Sequence, residues 1–229
     1  MGDIAAEIQE QLNVETVFSI NVGKFEIPFF ESTVVGWIII GIVLILCLIF
    51  GTNLKTKNIS KRQAVAEMFV TKLDGLVSGM IGHEGKCYVP YLLAVLLFIG
   101  FSNIIGLFGM KPPTKDLNVT GTLAILSILL VQFASIKAHG PLGWLKRFAA
   151  PIAIVTPINI LELVIKPLSL CMRLFGNVLG AFVIMELLKS VVPVIVPAIF
   201  SLYFDLFDGL LQAYVFVFLT SLYIKEAIE

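Results

Sequence analysis

Hydrophobic and polar positions follow one another along this chain in blocks far longer than a turn of helix. Residues 1–31 carry Asp3, Glu7, Glu10, Glu15, Glu26 and Glu31 against one lysine, Lys24. Residues 33–50 are almost wholly apolar, long enough for a helix to cross a bilayer core, which takes about 20 residues. Lys55, Lys57, Lys61 and Arg62 follow. Acidic before and basic after places the N-terminus outside. In residues 60–82, Ala64, Val65, Phe69, Leu73, Leu76 and Val77 recur at helical spacing, with Lys61, Arg62, Glu67, Lys72 and Asp74 between them. That pattern predicts an amphipathic helix on the cytoplasmic surface, or packed under its neighbours, rather than a span.

Residues 88–110 predict a second span, ended by Lys111-Pro112-Pro113-Thr114-Lys115-Asp116, whose prolines a helix interior does not accept comfortably. A third span covers residues 118–136. Lys137, His139, Lys146 and Arg147 follow around a Gly140-Pro141 turn, and this basic loop is cytoplasmic again. Residues 152–192 form a long apolar run, starting near Pro157 and ending at Pro193 and Pro197, with Pro167 marking a kink or a break. Residues 199–224 are the last span. Five crossings put the C-terminus inside. Residues 1–31 lack the basic start and small-residue cleavage site of a signal peptide. They are expected to be an extracytoplasmic, partly helical segment before a membrane domain over 32–229.

Composition fits. Hydrophobic residues make up 58% of the chain and charged ones 14%, with mean hydropathy +0.98; a soluble domain carries about 25% charged residues. The expected fold is an all-α integral membrane protein with about five transmembrane helices and one amphipathic surface helix. Net charge is zero, so no nucleic-acid partner is expected. Cys47, Cys87 and Cys171 form no metal-binding spacing, and no metal or cofactor is expected. They read as small buried apolar side chains, and His83 and His139 as solvated ones.

Against this background Arg173 stands out: it is the only charged residue between 167 and 185. A charge at membrane depth costs roughly 2.5–3.5 kcal/mol on insertion scales and marks a functional site by default. An α-helix turns about 100° per residue. With Arg173 at zero, Glu162 and Gly180 fall at about −20°, Lys166 at about +20°, Ser169 at about −40° and Asn177 at about +40°. The last helix repeats the design. With Gln212 at zero, Asp205 falls at about +20°, Ser201 at about −20° and Asp208 at about −40°. Lipid-facing stripes of this kind would be costly, so both should face protein or water. Asp205 and Asp208 lie toward the outer end, Glu162 and Lys166 toward the inner end, and Arg173 between them. That is the layout of two offset half-channels separated by a charge. Gly176 and Gly180 form a GxxxG that lets a partner helix approach.

Plainer readings stand beside these. Arg173 would serve as a structural ion pair with Asp205 or Asp208. Glu162 and Lys166, four residues apart, would form a helix-end pair near headgroups. The GxxxG would serve ordinary helix packing. Glu186 and Lys189 fall off the stripe and read as outer-rim residues.

The run Pro167-Leu168-Ser169-Leu170-Cys171-Met172-Arg173-Leu174-Phe175-Gly176-Asn177 resembles the signature of subunit a of bacterial F-type ATP synthases. Asp116-Leu117-Asn118-Val119-Thr120, Thr156-Pro157-Ile158-Asn159 and Leu211-Gln212-Ala213-Tyr214-Val215-Phe216 resemble that family's other motifs. The resemblance implies a stator subunit in a bacterial plasma membrane. Its last two long helices would form a tilted hairpin beside a ring of c subunits. It also implies b-type peripheral stalk subunits, and an F1 sector reached through the stalks, as partners. Such a subunit is not a catalyst alone. H⁺ or Na⁺ would load a ring carboxylate from one half-channel and leave by the other. Arg173 would be the family's essential arginine, Gln212 its facing glutamine and Asn177 its neighbour. A fixed cation favours the ionised form of a passing carboxylate and so expels its ion. Two departures stand out. Phe182 occupies a position where many members carry glutamate or histidine, and Asp205 with Asp208 puts two acids on the last helix. That pair could share a proton or help hold Na⁺. A secondary transporter with Arg173 as an anionic-substrate site is the alternative, but it predicts matching halves, which this chain lacks. A structural scaffold is a third reading, in which Arg173→Ala leaves ion coupling intact.

Overall fold

The computed structural model describes residues 16–22, 25–52, 60–149, 156–191 and 195–229. Among the described residues five helical stretches are long and apolar enough to cross a membrane: Glu31–Gly51, Lys86–Phe108, Leu117–Trp144, Thr156–Lys189 and Ile199–Ile228. From Glu31 onward the described architecture is all-α, that of an integral membrane protein.

Ahead of the first span, β1 (Thr16–Val22) and β2 (Phe25–Phe30) pair antiparallel, with Ile20 opposite Ile27. Phe, Ile and Val at these positions suit a strand. The helix expected within residues 1–31 is therefore not formed by 16–22 or 25–30; residues 1–15 lie outside the described residues. β2 runs directly into α1 (Glu31–Gly51). Only the start of α1 packs on the bundle: Val35 and Ile39 are buried with Ile105, whereas Leu44, Ile45, Leu48 and Ile49 are exposed.

The amphipathic helix is α2 (Lys61–Ile81), capped where Ser60 Oγ accepts from the Gln63 N–H at 3.3 Å. Its packing is narrower than its periodicity suggests. Val77 and Ile81 at the C-terminal end are buried, while Val65, Phe69 and Leu76 are exposed. The second span is α3 (Val89–Ile104), extended by short 3₁₀ turns on both sides. The Pro112-Pro113 stretch then forms a 3₁₀ turn, and Asp116 opens the next helix, its Oδ1 accepting from the Asn118 N–H at 2.9 Å. The same carboxylate accepts from Ser32 Oγ at 2.6 Å, tying α1 to this corner.

α4 (Leu117–Ala149) breaks at Gly140, where φ 74° and ψ 165° suit glycine alone, followed by Pro141. α5 (Thr156–Val191) is continuous: Pro167 does not break it. Pro193 lies outside the described residues. The last segment consists of α6 (Ile195–Ser201), a π-helical stretch Leu202–Asp208, and α7 (Gly209–Ile228).

The core runs between α3, α4 and α7, closed by the end of α2 and one side of α5. Leu92, Val95, Ile99, Ile128, Val131, Leu170, Leu174, Phe216, Val217 and Ile224 fill it. Thr220 and Ser221 face inward too, their hydroxyls satisfied by the Phe216 and Val217 carbonyls at 2.9 and 2.8 Å. The cysteines divide: Cys171 is buried, but Cys47 and Cys87 are exposed, because α1 and the start of α3 leave those sides uncovered. His83 and His139 are both exposed.

Candidate half-channel sites

Arg173 sits on the border of α5 between a packed and an uncovered side. Leu170, Cys171 and Leu174 beside it are buried, whereas Met172, Arg173, Gly176 and Asn177 are exposed. Ser169 and Gly180 are half-buried. Among the described residues Arg173 has no hydrogen-bond or ion-pair partner, so the structural pair with Asp205 or Asp208 is not formed. Nor does any described residue pack against the small-residue spacing. A Cβ built at Gly176 or Gly180 meets nothing within 4 Å.

At one end of the α5–α7 pair, Lys166 Nζ lies 3.3 Å from Glu162 Oε2 and 3.0 Å from Glu226 Oε2 on α7. It also donates to Glu226 Oε1 at 3.1 Å and lies 5.2 Å from the centre of the Tyr223 ring. The expected helix-end pair is thus present, and it extends across to α7. The carboxylates are half-exposed, so each pair contributes about 0–1 kcal/mol. Its use is geometric: it holds the start of α5 against the end of α7.

At the other end is a cavity of about 360 Å³, lined among others by Asp205, Asp208, Ser201, Glu186, Lys189 and Lys111. Ser201 Oγ donates to Asp205 Oδ2 at 2.8 Å, and Gln212 Nε2 to Asp208 Oδ1 at 3.4 Å. Gln212 is itself buried. Two carboxylates and one hydroxyl of the last segment therefore line one space, and the Gln212 amide bonds to one of those acids. The angular stripe drawn for a regular α-helix is only approximate there, since the wider π turn rotates the residues before Gly209.

Other elements contribute partners that a projection of single helices does not show. Glu186 and Lys189, read as outer-rim residues, pair at 2.8 Å and line the same cavity as Asp205 and Asp208. Their i,i+3 spacing in an apolar run was the available signal. Lys111, paired with Glu31 at 3.2 Å, arrives from the proline turn, and Glu226 carried no signal beyond its charge. Phe182 lines the cavity from α5 and carries the Lys115 ammonium 3.9 Å above its ring centre. Among the described residues no cluster of three or more His, Cys, Asp or Glu is placed to hold a metal ion.

Residues 33–225 match the family described as ATP synthase A chain. The chain is 37% identical to ATP synthase subunit a of Moorella thermoacetica, across 89% of its own length and 93% of that protein's. It is 33% identical to a Propionigenium modestum protein named ATP synthase subunit a, sodium ion specific, across 90% of this chain and 76% of the relative. A chloroplastic subunit a from Oedogonium cardiacum is 34% identical across 87% of this chain and 82% of that one.

Proposed function

This chain belongs to the ATP synthase subunit a family, and we propose that it is the ion-translocating stator of such a complex, passing H⁺ or Na⁺ to and from the carboxylates of a c-ring. The observation that carries the proposal is Arg173 standing without a partner among the described residues on an uncovered helix side, with a polar cluster toward each end of the same helix pair. A buried charge with a permanent partner would be structural. One left free on an open side is available to a carboxylate arriving on another chain.

In this reading the Asp205–Asp208 cavity is the outer half-channel and the Glu162–Lys166 cluster borders the inner one. Ser201 and Gln212 orient the two acids, which accept an ion from outside and hand it to a ring carboxylate. As that carboxylate nears Arg173, the guanidinium favours its ionised form and expels the ion inward. Arginine suits the role because it keeps its charge where lysine could lose a proton. The charge also blocks direct leakage between the half-channels. An elementary charge crossing the field gains about 2.3 kcal/mol per 100 mV, which drives rotation. Gln212 and Asn177 would flank the meeting point, Ser169 would line the stripe, and Gly176 with Gly180 would give the ring helices close approach. The b-type stalk and F1 would transmit the torque. In this reading the protein lies in a bacterial plasma membrane, and the charge pattern supports residues 1–31 outside and the C-terminus in the cytoplasm.

The decisive measurement is ATP-driven ion uptake by the complete complex in vesicles, with and without Na⁺. Coupled uptake is expected, and Asp205→Asn or Asp208→Asn should slow it. Wild-type rates in both variants would refute the assignment of the outer acids. Proton uptake indifferent to Na⁺ would assign H⁺ as the ion.

A further inference from the structure

Both cavity acids lie in Leu202–Asp208, the one stretch of the last segment that is π-helical, and regular helix resumes at Gly209. Short π segments within helices are rare and gather at functional sites. This one is gripped from α3 at the point where it ends. Asn103, only 4% exposed, donates from Nδ2 to the Gly209 carbonyl at 2.9 Å. Its Oδ1 accepts from Thr114 Oγ1 at 2.8 Å, and Thr114 is itself fully buried. Breaking either bond leaves a buried polar atom without its partner.

The approach is also close. A Cβ on Gly209 would come within 2.6 Å of Asn103 Cβ, so only glycine allows this contact. One turn beyond Asn103, Gly106 leaves the space that Asp205 uses: a Cβ there would lie 2.9 Å from Asp205 Oδ1. One face at the end of α3 therefore touches both the π-to-α junction and the Asp205 carboxylate.

We propose that Asn103 is a positioning residue for the cavity acids: by locking the junction at Gly209 it sets the direction in which Asp205 and Asp208 meet the incoming ion. Asn103 acts through the Gly209 backbone, its own amide being held between Gly209 and Thr114. The inference rests on the reading of Asp205 and Asp208 as outer acids.

The test uses the complete complex in vesicles, with ATP synthesis driven from the lumen, the side to which the cavity opens in this reading. Synthesis is titrated against lumenal pH, and against lumenal Na⁺. Asn103→Leu should raise the half-saturating ion concentration roughly three- to tenfold, the equivalent of one lost hydrogen bond. Thr114→Val should shift it the same way by less. The ion dependence of ATP-driven uptake from the opposite side should stay at wild type. In an Asp205→Asn background, Asn103→Leu should add nothing. Wild-type half-saturation in assembled Asn103→Leu, or an undiminished further shift in that background, overturns the proposal. If Asn103→Leu does not assemble, Thr114→Val decides by the same criterion. Wild-type half-saturation in Asp205→Asn and in Asp208→Asn would instead mean that the outer-acid reading has failed, and this inference with it.

Discussion

At the scale of single residues, Lys166, Asp205 and Arg173 are each defined by their partners. Lys166 has two acids and an aromatic ring around it, so its charge is spent on holding α5 to α7. Asp205 has a hydroxyl donor and a glycine that makes room for it. Arg173 has no partner among the described residues, which in the proposed function leaves its charge for a carboxylate arriving on another chain. Replacing it by alanine is expected to abolish ATP-driven ion uptake in vesicles while the complex still assembles and hydrolyses ATP. Replacing it by lysine should leave only a small fraction, because an ammonium on a flexible stem shifts its proton affinity readily when desolvated. Coupled uptake in Arg173→Ala near the wild-type rate would return the residue to a structural role.

At the scale of elements, helix ends and irregular turns do more than the regular spans. The Pro112-Pro113 turn brings Lys111, Thr114 and Lys115 to the cavity end of the bundle, and Asp116 both caps α4 and holds α1. Gly140 ends the third span in a backbone conformation open to glycine alone, so α4 turns there instead of running on. Gly140→Ala is expected to cost about 1–3 kcal/mol, the usual charge for such strain. Thermal unfolding of the detergent-solubilised complex should show a lowered midpoint for this chain, and an unchanged midpoint would mean that the loop relaxes freely. The π stretch is the counterpart on the last helix. It widens one turn and so re-aims the two acids in a way no α-helical projection reproduces.

For the whole molecule, the informative surface is the one the chain leaves open. Soluble proteins cover their helix faces, whereas here Leu168, Met172, Leu211, Tyr214, Phe218 and Leu222 of α5 and α7 are exposed, together with Gly176. Lipid would satisfy the apolar members, but neither lipid nor the chain itself gives a reason for small residues beside an arginine. Gly176→Leu therefore separates the readings. The position is open, so the chain should fold and accumulate as wild type. The ring subunits should co-purify with it poorly, or the assembled complex should turn over slowly. Full co-purification and full coupled rates would show that no partner helix approaches there.

Much of this was legible in the amino-acid order. The five spans, the breaks at Pro112-Pro113 and Gly140, the amphipathic α2 and the isolation of Arg173 all follow from local quantities: run length, helical period, residues that forbid a helix, and the cost of a charge in an apolar stretch. The β-hairpin before α1 was not read, because the acidic bias of residues 1–31 masked the apolar residues of both strands. What tertiary structure alone decided is how distant segments meet. It joined Lys166 to Glu226, gathered Glu186, Lys189 and Lys111 around Asp205 and Asp208, and set Asn103 against Gly209. Among the described residues it also left Arg173 unmatched. The reason is physical: a helical projection gives angles within one regular helix, whereas a site between helices depends on their relative rotation and depth. A single π stretch shifts both for every residue that precedes Gly209.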